Sequence, residues 1–422
     1  MSFDHSQTVI DKTRDWLLKP NNNFCALPFT HMAIEADGDI RPCCIGKPFD
    51  LNIRNKSVES VFNDPIREEF VNAFRENKQH PACIDCWEQP FIRAKFSTAP
   101  QSINTTLDFM NTGVLPEKQL KWLEVKPGNR CNLKCRICGV HNSSQWTKDA
   151  AELMNITLKS KGQDLIKFKD SKQFKITQKS DWIDDPEFWV NLAGFEQIEY
   201  LHFMGGEPFM VPEHFKMLER MVSDPTIDCS KIDIGYNTNG TYFPSPDNIE
   251  LYKNFKLVKF SLSIDDFGPR FDYQRTLAEW EQVANNLMKF SRLDMEEKKF
   301  SCMLDPTVSI FNIFYVDEIW DKFEEMGLNR YNGHLQHFVF SGPDSITNLP
   351  DSVKSELTAK LENSKHLWSR DSVKYMNNTK SSQEQWNIFV WRTKNLDKMR
   401  KESFEKTFPE FWELLGIHNE QF

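Results

Sequence analysis

The chain has 422 residues, 39% of them hydrophobic, and a net charge of −9. This length allows two or three domains with apolar cores. The acidic balance disfavours a nucleic-acid-binding protein, which needs a basic face. No segment approaches the roughly 20 apolar residues of a membrane helix. Because the first residues also lack a secretory signal, we expect a cytoplasmic protein that spans no membrane.

The first hundred residues predict a small module. A helix is expected at 7–18, followed by a hairpin with its turn at Asp37-Gly38. Apolar residues at helical spacing predict two further helical stretches between 61 and 74. A polar link over roughly 96–117 then separates this module, residues 1–100, from the rest of the chain.

From residue 119 the pattern alternates between strands and helices. Six strands are predicted at LKWLEVKP, QIEYLHFMGG, KIDIGYNTNG, LVKFSLSIDD, KFSCMLDPTVSI and HLQHFVFSG. Helices are expected at 277–291 and 316–326. This alternation predicts an α/β domain with a parallel sheet, open or barrel-like, over 119–345. Tryptophan-rich helical stretches over 346–422 predict a C-terminal helical cap.

The chain has ten cysteines, and closely spaced cysteines in a reducing compartment indicate metal ligands rather than disulfides. In RCNLKCRICG, Cys131, Cys135 and Cys138 directly follow the first predicted strand of this domain. A short loop with three thiolates can hold three corners of an iron-sulfur cluster and leave one iron open. The alternative is a zinc site, for which His141 is an available fourth ligand.

This cysteine loop resembles the signature of the radical S-adenosylmethionine superfamily. The resemblance covers about 119–345 and implies a partial (β/α)6 barrel of the TIM type. A Gly-Gly-Glu-Pro segment ending the next strand resembles the element that receives the amino group of the cofactor; its residues are Gly205, Gly206, Glu207 and Pro208. Taken alone, this segment favours a turn before a helix, with Pro208 at the first helical position.

Further similarities follow in the order that the superfamily has them. Thr238 and Asn239 end the next strand, and Ser263 ends the one after it. The resemblance implies that these residues contact the cofactor, and that Arg275 pairs with its carboxylate, a role suited to a guanidinium. Ile137 stands where the superfamily often has an aromatic residue beside the adenine.

A second group of cysteines lies in the N-terminal module, at Cys25, Cys43, Cys83 and Cys86. The stretch from Cys25 to Cys43 resembles the twitch and SPASM modules of the same superfamily, which implies an auxiliary iron-sulfur cluster. These modules commonly follow the barrel, whereas this one precedes it. Cys44 is an alternative to Cys43 as a ligand, and a structural zinc site is the alternative to a cluster.

The resemblance implies an enzyme with a catalytic 4Fe-4S cluster, which reduces S-adenosylmethionine to release a 5'-deoxyadenosyl radical that abstracts a substrate hydrogen. The auxiliary site favours an oxidative outcome, either dehydrogenation or radical bond formation. Peptides and small molecules such as sugars are the two substrate classes considered. An external donor such as a flavodoxin or ferredoxin would supply the electron. The alternative from another class is a non-enzymatic, zinc-stabilised binding protein.

Overall fold

The computed structural model of the protein describes residues 5–172, 174–175, 179–326, 337–339, 341–378 and 380–416. The chain divides into two units. The first unit comprises Met1–Asn129, Gln178–Tyr236 and Ser245–Val258. The second unit comprises Arg130–Thr177, Asn237–Pro244 and Lys259–Phe422. In the described part of the chain, no helix is both long and apolar enough to cross a membrane.

The strands are β1 (His31–Ile34), β2 (Ile40–Arg41), β3 (Trp122–Val125), β4 (Tyr200–Phe203), β5 (Asp233–Thr238), β6 (Leu257–Leu262), β7 (Phe300–Leu304), β8 (Thr307–Val308) and β9 (His337–Phe338). The central sheet has the strand order β2-β1-β3-β4-β5-β6-β7. Strands β1, β3, β4 and β5 pair in parallel, and the edge strand β2 runs antiparallel to its neighbour β1. The predicted α/β class with a parallel sheet is confirmed.

Strand β1, from the predicted N-terminal module, extends this sheet by pairing with β3, with His31 opposite Trp122. Its hairpin with β2 is confirmed, and Gly38 has the positive φ of 85° that such a turn requires. The sixth predicted strand does not belong to the central sheet. Its described part, β9, pairs in parallel with β8 in a separate two-stranded sheet, and 334–336 and 340 fall outside the described residues.

Alternation along the strands of the first unit creates two different faces. Leu123 and Val125 are fully buried on one face, whereas Trp122 and Glu124 lie on the other. The register places Glu124 opposite His202 on β4. Polar side chains therefore share one face of three neighbouring strands.

The helices of the first unit are α1 (Gln7–Leu17), α2 (Leu27–Thr30), α3 (Val58–Phe62), α4 (Pro65–Arg75), α5 (Ile84–Glu88), α6 (Pro90–Ser97), α7 (Ile103–Thr112), α9 (Pro186–Val190), α10 (Glu213–Ser223) and α11 (Pro246–Tyr252). Asp64 caps α4 by accepting from the Ile66 amide (3.0 Å). The predicted link at 96–117 contains α7 instead of only polar coil. Phe109 of α7 stacks on Phe24 with ring centroids 4.2 Å apart, so this segment belongs to the packed unit.

The helices of the second unit are α8 (Trp146–Ser160), α12 (Gly268–Gln274), α13 (Trp280–Glu296), α14 (Val316–Glu325), α15 (Asp351–Leu361), α16 (Leu367–Asn377), α17 (Gln383–Arg400), α18 (Phe404–Thr407) and α19 (Pro409–Leu415). The predicted apolar stripe of α13 is confirmed, because Val283, Leu287 and Phe290 are fully buried. Helices α15 to α19 confirm the helical nature of the C-terminal region.

Candidate functional site

The cysteine loop that follows β3 holds three thiols in one short segment of the second unit. Cys131 and Cys135 are buried, and Cys138 is half-buried. Leu133 is fully buried and packs with these thiols, and Ala278 packs against the same group. The Leu133 amide donates to the Cys131 sulfur (3.4 Å). The three cysteines predicted as a group therefore lie together around a small apolar core.

The backbone of this loop is held by residues at the C-terminal end of helix α12 and just after it. The Lys134 amide donates to the Thr276 carbonyl (3.1 Å), and the Arg136 amide donates to the Gln274 carbonyl (2.7 Å). The two hydrogen bonds flank Cys135 on either side. They fix the path of a segment that has no helix or strand of its own.

Arg275 lies beside the thiols of the loop. Its Nη1 is 3.9 Å from Cys135 Sγ, and its Nη2 is 2.8 Å from Asp265 Oδ2. A hydrogen bond with Cys138, followed by the positive charge of Arg275, lowers the pKa of Cys135. A lowered pKa favours the thiolate, which is the form that binds metals. The structure thus gives Arg275 a buried carboxylate partner, and its predicted role at a cofactor carboxylate stays a prediction.

Thr238, Asn239 and Ser263 lie at the carboxyl ends of strands β5 and β6. The Ser263 amide donates to the Thr238 carbonyl (2.9 Å). Asn239 Nδ2 is 3.9 Å from Cys131 Sγ, so the structure brings this residue to the cysteine loop. Ile137 is half-buried within the loop itself.

The Gly-Gly-Glu-Pro segment follows β4 in the first unit. Gly205 has a φ of 114°, and a Cβ there would lie 3.1 Å from Lys126 Cβ, so both conformation and space require glycine. Glu207 is buried, and its Oε1 accepts from the Phe209 amide (3.3 Å) to cap a short 3-10 helix, Pro208–Met210. The segment therefore has the geometry of a turn before a helix, and its role at a cofactor stays a prediction.

A second group of thiols lines one cavity of the first unit. These cysteines are Cys25, Cys43, Cys83 and Cys86. The cavity is small, with a volume of about 20 Å³, and Arg93 is the one charged side chain among the residues that line it. Four thiols around one cavity are the donor set of a zinc site or of an iron-sulfur cluster. The structure thus brings together all four cysteines that the sequence predicted as a group.

The thiols of this cavity are held in their neutral form by burial. Burial raises the pKa of Cys43 to about 12, and it is also the largest cause of the raised pKa values of Cys25, Cys83 and Cys86. Neighbouring thiols raise the pKa of Cys83 further, because adjacent thiolates repel each other. Metal binding supplies the positive charge that makes the thiolates stable. The residues present therefore fit a metal centre.

Cys43 and Cys44 have different surroundings. Cys43 lines the cavity and packs with Trp122. The charges that act on Cys44 include those of Glu124 and Lys126, and Cys44 is not among the residues that line the cavity. The geometry therefore favours Cys43 as the fourth thiol of the cavity.

An ionic cluster on three neighbouring strands was missed by the sequence analysis. Glu124 on β3 lies 3.2 Å from His31 on β1 and 3.6 Å from His202 on β4, measured between carboxylate oxygens and ring nitrogens. Burial alone would raise the pKa of Glu124, but the two histidines hold it well below its usual range. The available signal was a carboxylate inside an apolar strand, which needs a buried partner.

Comparisons with known proteins agree with the two cysteine groups. The family model of the Radical SAM superfamily matches residues 125–312. The family model of SPASM, an iron-sulfur cluster-binding domain, matches residues 25–87. No curated protein matches the sequence.

Two solved structures are similar to parts of the chain. "Native anSMEcpe with bound AdoMet" is 15% identical over 66% of each chain, with a TM-score of 0.34. "Native anSMEcpe with bound AdoMet and Cp18Cys peptide" is 16% identical over 57% of this chain and 59% of that one, with a TM-score of 0.33. The chain thus spans less than two thirds of the length of these structures.

Proposed function

We propose that this chain is a radical S-adenosylmethionine enzyme, which cleaves S-adenosylmethionine reductively to begin a hydrogen abstraction from an organic substrate. Its cofactors are a 4Fe-4S cluster, S-adenosylmethionine and an auxiliary iron-sulfur cluster. Together the first two supply a 5'-deoxyadenosyl radical, which is the hard chemistry of the reaction. The observation that carries the proposal is the buried loop on which Cys131, Cys135 and Cys138 lie together.

These three cysteines are the proposed ligands of the catalytic cluster. Three thiolates from one loop leave one iron of a four-iron cluster without a protein ligand. Asn239 and Arg275, whose side-chain nitrogens each lie 3.9 Å from a loop sulfur, would donate to the thiolates and tune the cluster.

The proposed binding residues for S-adenosylmethionine come from the cysteine loop, from three strand ends and from the end of helix α12. They are Ile137, Gly205, Gly206, Glu207, Pro208, Thr238, Asn239, Ser263 and Arg275. Glu207 offers a carboxylate to the cofactor's ammonium group, and Arg275 offers a guanidinium to its carboxylate. At Gly205 the main chain of Lys126 and Gly128 takes the space that a Cβ would need, and this close packing fixes the turn that leads to Glu207.

The auxiliary cluster is assigned, as a proposal, to Cys25, Cys43, Cys83 and Cys86. Their shared cavity supports this assignment, because all four cysteines line it. A second redox centre in the same chain supports an oxidative outcome, since the substrate must lose a second electron to become two hydrogens lighter. We therefore propose dehydrogenation or radical bond formation on a peptide or on a small molecule such as a sugar.

We further propose that a flavodoxin or ferredoxin donates the starting electron. Because free thiols must be available to bind the clusters, a reducing compartment such as the cytoplasm suits the protein.

The proposal is tested by assaying 5'-deoxyadenosine under strictly anaerobic conditions with dithionite as the reductant. The reconstituted parent should release 5'-deoxyadenosine and methionine from S-adenosylmethionine. A variant with Cys131, Cys135 and Cys138 all changed to Ala should release neither. Cys229→Ala removes a buried cysteine outside both thiol groups and is the matched control, which should behave as the parent. A parent that loads iron yet never cleaves the cofactor would contradict the proposal.

A second experiment tests the oxidative outcome. Candidate peptides and sugars are incubated with the reconstituted enzyme, and the product masses are measured by mass spectrometry. A product two hydrogens lighter, with one cofactor cleaved per product, is expected. A product that gains a methyl group would contradict the oxidative assignment.

A further inference from the structure

Helix α17 reaches the cysteine loop through one arginine of that loop. Arg136, next to Cys135, is fully buried. Its Nη2 lies 2.5 Å from Asp397 Oδ1 and also pairs with the Glu402 carboxylate. Its guanidinium stacks over the Tyr273 ring at 3.8 Å from the centroid. A single buried positive charge in the loop is thus balanced by two carboxylates at the C-terminal side of the chain.

The carboxylate that binds Arg136 is itself held in place. Asp397 accepts from the Tyr273 hydroxyl (2.8 Å) and from the Phe404 amide (2.7 Å). Lys401, between Asp397 and Glu402, has a φ of 58°, which ends the helix and turns the chain back. The turn brings Glu402 to the same guanidinium that Asp397 binds. The two acidic side chains therefore present one preformed site for Arg136.

Side chains from α8 and α17 donate hydrogen bonds to carbonyls of the cysteine loop. The Trp146 indole donates to the Cys135 carbonyl (2.8 Å), and Arg392 of α17 donates to the Arg136 carbonyl. Arg392 also pairs with Asp344 (3.0 Å), which fixes its position. Two successive carbonyls within the cysteine loop are thus satisfied by side chains rather than by regular secondary structure.

An apolar contact completes this arrangement. Leu396 of α17 is fully buried and forms a cluster with Val140 and Trp146. Cys138 and Met399 pack against the same cluster. The helix therefore contacts the loop at two positions after Cys135, by charge at Arg136 and by packing at Cys138.

We propose that helix α17 and the turn after it clamp the cysteine loop in its metal-binding shape, so that loading and retention of the catalytic cluster depend on Asp397 and Glu402. This inference rests on the proposed function of the loop. Removing the carboxylates leaves the buried charge of Arg136 uncompensated, and such a charge moves toward water. Because Arg136 is adjacent to Cys135, that movement would displace a ligand. Asp397 and Glu402 are positioning residues.

The test is the double variant Asp397→Asn, Glu402→Gln after anaerobic reconstitution. We expect iron to fall from about eight to about four per chain, since the auxiliary cluster should be retained. The electron paramagnetic resonance spectrum of the reduced protein should also lose the change that S-adenosylmethionine causes in the parent. The matched control is Glu405→Gln, Glu413→Gln, which neutralises two carboxylates nearby and should match the parent in both measurements.

A milder variant keeps the test decisive if the double variant fails to fold. Tyr273→Phe removes only the hydroxyl that bonds Asp397, and it should make the catalytic cluster lose iron to a chelator several-fold faster than the parent does. Circular dichroism of each variant reports whether it is folded. The clamp is overturned if the folded variants match the parent in iron content, in the electron paramagnetic resonance spectrum and in the rate at which a chelator removes iron. A parent that binds no iron would instead refute the proposed function.

Discussion

Gly235 lies so close to the Tyr200 ring that position 235 has no room for a side chain. A Cβ on Gly235 would overlap the Tyr200 hydroxyl and would lie 2.8 Å from its Cζ and 2.9 Å from His202 Cδ2. Tyr200 in turn packs with Trp122 and Cys43 in one buried cluster. A glycine in the middle of strand β5 thus makes room for the aromatic layer beside a proposed cluster ligand.

Gly235→Ala should therefore destabilise the first unit by about 1–3 kcal/mol, because overpacking forces the Tyr200 ring to shift. Urea unfolding of metal-free protein measures the effect. Gly139→Ala is the matched control, because a Cβ there meets nothing within 4 Å. Equal stability of Gly235→Ala and the parent would show that the Tyr200 ring can move without cost.

The ionic cluster around Glu124 predicts a larger loss of folding stability when it is disrupted. Glu124→Gln removes a buried charge that His31 and His202 both approach, and breaking a buried pair costs about 3–5 kcal/mol. Glu199→Gln breaks an exposed pair with Lys121 and should cost less than about 1 kcal/mol. The same urea experiment compares the two. A loss at Glu124 no greater than at Glu199 would mean that the cluster is not electrostatically important.

His214 predicts a pH dependence of stability. Burial lowers the pKa of His214 from 6.5 to about 4, and its Nδ1 lies 2.6 Å from the Val211 carbonyl. As the pH falls below 6.5, the unfolded chain takes up a proton that the folded chain accepts only near pH 4. Stability is therefore full above pH 6.5 and falls by about 3 kcal/mol between pH 6.5 and 4 from this residue alone.

His214→Phe removes this titration while keeping a ring beside Phe203 and Tyr236. The difference in unfolding free energy between pH 7.5 and pH 4.5 should be smaller for this variant than for the parent. An identical pH dependence of the two proteins would show that His214 titrates normally in the folded chain.

The two adjacent cysteines of the first unit should differ in their effect on the auxiliary cluster. Cys43→Ala removes a thiol of the cavity and should reduce bound iron by about four per chain. Cys44→Ala should leave the iron content unchanged, because Cys44 faces other groups. Each variant controls for the other in iron analysis after reconstitution. Loss of iron in Cys44→Ala alone would reverse the assignment.

Local sequence patterns predicted those helices, strands and turns that a single short segment of the chain determines. Alternation around Gly38 predicted the first hairpin, and the apolar stripe of α13 predicted that helix within a few residues at each end. The three-cysteine loop and the Cys83–Cys86 pair were predicted for the same reason, because short spacing forces their cysteines to lie near each other. The resemblance to twitch and SPASM modules, not spacing, grouped Cys25 and Cys43 with that pair.

Contacts between distant segments could not be predicted in this way. The pairing of β1 with β3 and the contact between Arg136 and Asp397 join residues about 90 and 261 positions apart. Nothing in either local sequence specifies its partner. The cluster around Glu124 depends on the register of three strands, and a register is set by the whole sheet rather than by a motif.

The central claim is tested most directly by measuring iron, acid-labile sulfide and zinc per chain after anaerobic reconstitution. The parent is compared with the variant in which Cys131, Cys135 and Cys138 are all Ala. We predict about eight irons in the parent, falling to about four in the variant, with matching sulfide. Zinc without iron in the parent would contradict the account, because the chain would then hold structural metal sites and no radical chemistry.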